Sequence, residues 1–183
     1  MAYRNGTYIA FHADGANQPG KSDIDYYNLM KAWTARTDDD FTMINSHEKT
    51  SAVRDTSRRS TLRARLLERL RNSKNMVLII GATTKNDTDW VPFEIAQAID
   101  TYEIPIIAAY TDYRSILAPS ELRALWPIAL AHRIDNQTAH VIHVAFKKAS
   151  LLDAIPRFDH NNYPNGGGLG HYTREAHQQW GLL

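Results

Sequence analysis

The chain has 183 residues, 43% of them hydrophobic, enough for one domain with a full core. Its 21 Lys and Arg offset 20 Asp and Glu, so no global charge recruits nucleic acid or a membrane surface. The lack of cysteine excludes disulfides, thiolate catalysis and Cys-ligated zinc. No signal-type apolar segment precedes the first strand, and no window reaches the ~18 apolar residues of a membrane span, so a soluble, cytoplasmic protein is expected.

Thr7-Tyr8-Ile9-Ala10-Phe11-His12 reads as a first strand. Residues 13–22 follow as a long loop whose Gly15, Pro19 and Gly20 forbid regular structure. Asp23 is expected to cap a helix to about Ala35, with Ile24, Tyr27, Met30 and Trp33 on one stripe. Residues 41–45 read as strand two, and the polar loop 46–55 leads into a helix over 61–71. There Leu62, Leu66, Leu67 and Leu70 alternate with Arg63, Arg65, Arg69 and Arg71. With Arg58, Arg59 and Lys74 these arginines form a basic run opposed by Glu68, expected as a solvated helix face.

Met76-Val77-Leu78-Ile79-Ile80 is a continuous apolar run, the signature of a parallel strand buried on both faces. The next helix is expected to start at the capping residue Asp89, to hold Pro92 in its first turn, and to stack Trp90 and Glu94 at i, i+4. A carboxylate inside this otherwise apolar helix requires an explanation. Residues 106–110 read as strand four, 119–126 as helical up to a break at Pro127, 140–146 as strand five and 147–155 as a closing helix. Residues 1–155 thus form one domain, and 156–183 read as a loop-rich tail with a short helix near 173–180.

Strands and helices alternating at this spacing imply an α/β, flavodoxin-like fold: a five-stranded parallel sheet of order 2-1-3-4-5 with helices on both faces. Its switch point lies between strands one and three, where open α/β sheets bind ligands. His12, Asp14, Trp90 and Glu94 are expected to converge there, with Ser46 and His47 at the same sheet edge. No glycine-rich phosphate loop follows strand one, no Walker sequence occurs, Gly81 stands where a response regulator needs its aspartate, and G-x-S-x-G is absent. The histidines lack metal-ligand spacing, and no metal site is expected. One glutamate cannot run a two-carboxylate glycosidase scheme, but it can stabilise an oxocarbenium-like sugar or hold ribose hydroxyls as an N-glycosidic bond breaks. Cleavage of NAD, whose nicotinamide leaves easily, is the least demanding chemistry of that kind.

Tyr8-Ile9-Ala10-Phe11-His12, Leu78-Ile79-Ile80-Gly81-Ala82-Thr83-Thr84 and Trp90-Val91-Pro92-Phe93-Glu94-Ile95 resemble the TIR-like proteins of bacterial Thoeris anti-phage defence, over roughly residues 5–155. The resemblance implies a TIR fold that takes NAD as substrate and needs no cofactor. It also implies release of nicotinamide, and a cyclic or otherwise modified ADP-ribose that signals to a separate effector protein. It puts the catalytic glutamate at Glu94, the family's tryptophan at Trp90, and nucleotide contacts at Phe11 and His12. It implies self-association in the active state. Ala10 departs from the serine many relatives carry before the Phe-His pair. Two alternatives stand beside this reading: a non-catalytic TIR module that signals by assembly, and a transferase resembling nucleoside deoxyribosyltransferases.

Overall fold

The structure is a computed structural model that describes residues 4–13, 23–35, 43–44 and 56–183. Among the described residues, six parallel strands form one sheet: β1 (Gly6–Ala10), β2 (Met43–Ile44), β3 (Ser73–Ile80), β4 (Ile106–Tyr110), β5 (Val141–Ala145) and β6 (Gly170–His171), in the order β2-β1-β3-β4-β5-β6. The expected five strands are present in the expected 2-1-3-4-5 order, and a sixth short strand extends the sheet beside β5. β6 is only two residues long, and Gly170 lies so close to β5 that a Cβ there would stand 2.6 Å from the Val141 carbonyl oxygen. Only glycine permits that approach, so the strand carries no hydrophobic period to read.

Side-chain parity divides the core into two layers. Tyr8, Ala10, Met76, Leu78, Ile80, Ile106, Ala108 and Tyr110 face one layer. There they meet leucines 62, 66 and 70 of α2 (Thr56–Arg71), Val91 and Ile95 of α3 (Trp90–Ala96), and Leu130 and Ile134 of α4 (Ile128–Asp135). Ile9, Phe11, Val77, Ile79, Ile107 and Ala109 face the other, against Tyr27 and Met30 of α1 (Ile24–Thr34) and Leu151, Ala154 and Ile155 of α5 (Lys148–Arg157). β3 begins three residues before the apolar run because Asn75, fully buried, donates its side-chain amide to the Ile155 and Phe158 carbonyls at 2.8 and 2.6 Å. That bond ties the end of α5 to the middle of the sheet.

The segment from 156, expected as a loop-rich tail, contributes β6 to the sheet and ends in α6 (Arg174–Gln179). His177 docks this helix: it is buried, its Nδ1 lies 2.8 Å from the Thr173 carbonyl, and its Nε2 accepts from the Ile116 backbone at 3.3 Å. Trp126 is buried and donates its indole N–H to the Tyr110 hydroxyl at 2.7 Å.

Candidate functional site

At the carboxyl ends of β1 and β3 the chain must pass from strand to helix with little room. A Cβ at Gly81 would stand 2.2 Å from Asp23 Oδ1, so any larger residue would have to displace that carboxylate. The Gly81 N–H donates to the Thr84 hydroxyl at 2.7 Å, and that hydroxyl donates to Asp23 Oδ2 at 2.7 Å. The Asp23 N–H in turn reaches the His12 carbonyl at 3.3 Å. Asp23 stands at the expected N-cap of α1, but its side chain makes no capping bond and braces the β3 loop instead. Burial raises its carboxyl pKa, against the opposing hydrogen bond from Thr84 and the nearby imidazole of His12.

Asp89 stands at the expected N-cap position of α3 but makes no side-chain capping bond; the bonds to the first backbone N–H groups come from Asp87. Asp87 Oδ1 accepts from the Asp89 and Trp90 backbone N–H groups at 2.8 and 3.0 Å, while Asp89 instead pairs with Arg59. The other oxygen of Asp87 lies 3.1 Å from His12 Nδ1. A short polar link thus joins the end of β1 to the first turn of α3, with both side chains nearly buried, at 13% and 10% exposure. A sequence with aspartates two apart offers two equally good caps; the tertiary partner His12 favours the first.

Trp90 is half-buried against the α2–α3 layer, edge-on to Phe93 with ring centres 6.3 Å apart. The Arg59 guanidinium lies 5.4 Å from its ring centre, and Arg63 covers Phe93 at 4.3 Å. Glu94, on the same helix, is fully buried, and the Tyr8 hydroxyl donates to its Oε1. Burial first, and then the Glu94 carboxylate, push the Tyr8 phenol well above its ordinary pKa, so it remains a donor. Tyr8 did not stand out as a site residue. The period of β1 gives its face, but no sequence pattern says which α3 side chain crosses it.

Of the residues expected at the site, the fold puts Glu94 and Trp90 on α3 and links His12 to the start of that helix through Asp87. Phe11 is on the other face of the sheet, stacked on Tyr27 with ring centres 4.9 Å apart and 1% exposed. Asp14 and Ser46 lie outside the described residues. A cavity of about 390 Å³ opens at the opposite edge of the sheet, beside Glu103, His140 and Tyr163. Its polar groups are engaged with their surroundings: His140 stacks on Tyr163, whose hydroxyl donates to the Glu103 carbonyl at 2.7 Å.

The sequence model of the family described as "Thoeris protein ThsB, TIR-like domain" matches residues 8–116, more than half of the chain. The chain belongs to this family. The match runs from the strand that carries Tyr8 to the loop after β4, so it includes Phe11, His12, Trp90 and Glu94 and ends before β5. The chain is therefore a Thoeris TIR-like defence module, and its fold is α/β. Among the described residues no cluster of three His, Asp or Glu side chains is arranged to hold a metal, and no helix is long and apolar enough to cross a membrane.

Proposed function

We propose that this Thoeris TIR-like protein is an NAD-consuming enzyme of anti-phage defence, with Glu94 as its catalytic residue. The observation that carries this reading is a buried carboxylate held on α3, beside the switch point of a parallel sheet, in a chain of this family. As the bond between nicotinamide and ribose C1′ lengthens, positive charge spreads over C1′ and the ring oxygen. A carboxylate in a low-dielectric setting stabilises that charge. Nicotinamide leaves as a neutral molecule and needs no general acid. Attack on C1′ by water yields ADP-ribose, and attack by a nucleophile of the same molecule yields a cyclic product; either releases one proton. The product serves as the messenger to a separate effector protein in the cytoplasm, where NAD is available.

Trp90 walls the entrance, and the His12–Asp87 link fixes the first turn of the helix that carries Glu94. Because Glu94 has no exposed surface, ribose reaches it only after its cover moves. Self-association is the event assigned to that opening. The same burial favours a second reading, in which the protein signals by assembly and Glu94 is structural. Nicotinamide release by concentrated protein, alone and with phage-infected lysate, separates the two. Turnover that drops on the order of a hundredfold or more in a folded Glu94→Gln variant supports the enzyme. Unchanged turnover in that variant removes Glu94 from catalysis, and a wild-type protein silent in both conditions leaves the assembly module.

A further inference from the structure

Tyr8 is fully buried in β1, an inner strand held between β2 and β3. A hydroxyl at such a position is costly unless it is hydrogen-bonded, and phenylalanine would fill nearly the same volume without that cost. The chain spends a tyrosine on this position, and its hydroxyl reaches one group across the layer: the Glu94 carboxylate. We infer that Tyr8 is a positioning residue of this site, which holds the rotamer of Glu94 and helps keep it ionised. The inference rests on the reading of Glu94 as catalytic.

Burial alone drives a carboxylate toward its neutral acid, and a neutral acid cannot stabilise a developing cation. A hydrogen bond donated to the charged form works against that drift. The donor must itself stay protonated, and the Tyr8 phenol does, because burial and the adjacent carboxylate both push its pKa upward. Of the charged groups among the described residues on the elements packed around the pair, Arg69 on α2 acts on Tyr8 in the opposite direction. Arg59 is engaged with Asp89, Arg63 covers Phe93, and His12 meets Asp87. Loss of one phenolic oxygen leaves all of these in place. Because β1 is pinned on both sides, the hydroxyl is a fixed reference against which a helix of seven residues can be held.

The test is Tyr8→Phe, which keeps the ring and removes the donor. In concentrated, active protein kcat for NAD should drop about tenfold with KM little changed, and the acid limb of the kcat profile should move up by about one pH unit. A profile that superimposes on the wild type overturns the assignment, whatever the change in melting temperature. A second measurement needs no turnover: the carboxyl ¹³C titration of Glu94, assigned by its disappearance in Glu94→Gln. Its midpoint should rise in Tyr8→Phe by the same amount. Equal midpoints in the two proteins overturn the positioning role, and this holds even if the wild type consumes no NAD, an outcome that would instead defeat the enzymatic reading.

Discussion

Asp87 serves two masters: one oxygen caps the first turn of α3 while the other meets His12 at the end of β1, 3.1 Å away. Asp89, two residues on, stands at the surface and pairs with Arg59 there. Exposed ion pairs contribute little, whereas a cap that also bonds across the fold contributes through both links. Asp87→Ala is therefore expected to cost about 1–2 kcal/mol, and Asp89→Ala about 0–1 kcal/mol. Urea unfolding of the two variants decides the ranking, and equal losses would show that the helix start does not depend on Asp87. In active protein, Asp87→Ala should also reduce NAD turnover, because the helix that holds Glu94 would start less firmly.

Gly81 is the tightest point of the crevice. With Ala at this position, the new Cβ and Asp23 Oδ1 cannot both stay where they are, at 2.2 Å. Gly81→Ala should destabilise by about 1–3 kcal/mol. Removing the obstacle should recover part of that loss. In Asp23→Ala the Thr84 hydroxyl still has the Ile79 and Gly81 carbonyls within 3.5 and 3.3 Å, so the single change leaves no stranded donor. The double variant Gly81→Ala/Asp23→Ala should accordingly be more stable than the sum of its parts. A strictly additive cycle in denaturant unfolding would place the cost of Gly81→Ala elsewhere.

How far the molecule is legible in its sequence depends on which force sets each feature. Met76-Val77-Leu78-Ile79-Ile80 and Ile106-Ile107-Ala108-Ala109-Tyr110 declare buried parallel strands because burial on both faces leaves no polar alternation, and topology then places Glu94 near the switch point. Features set by a single tertiary contact are illegible. Asn75 extends β3 because of carbonyls about eighty residues away, the side chain that caps α3 is Asp87, which also meets His12, and the donor to Glu94 is a strand tyrosine. β6 is set by close backbone approach at Gly170 and shows no period at all.

The complete burial of Glu94 bears on how activity should depend on concentration. A carboxylate with no exposed surface gives an isolated subunit no means of touching ribose, so turnover by dilute protein should be near zero. If self-association opens the cover, mass action makes the active fraction grow with concentration, and specific activity should fall steeply on about a hundredfold dilution. Measured nicotinamide release per subunit that stays constant across that range would separate opening from assembly.

His143 makes a pH prediction with a defined sign. Its Nε2 lies 2.9 Å from the Gly168 carbonyl, which can only accept, so Nε2 carries the proton and Nδ1 accepts from the Tyr110 hydroxyl at 2.7 Å. That hydroxyl already accepts from Trp126, so a chain of three bonds holds the segment leading into β6 against the core. Burial lowers the His143 pKa from 6.5 to about 4, opposed by the Gly168 hydrogen bond. The unfolded chain therefore binds a proton that the folded chain refuses between those values, and stability falls as pH drops from 6.5 toward 4. The shift corresponds to at most about 3 kcal/mol. Protonation would also place a second donor against Tyr110 and strand its hydroxyl proton. In His143→Gln the amide can donate to Gly168 and accept from Tyr110 without titrating. The difference in unfolding free energy between wild type and variant should shrink, or change sign in the variant's favour, as pH falls from 6.5 to 4. A difference that stays constant across that interval would mean that His143 does not titrate with folding.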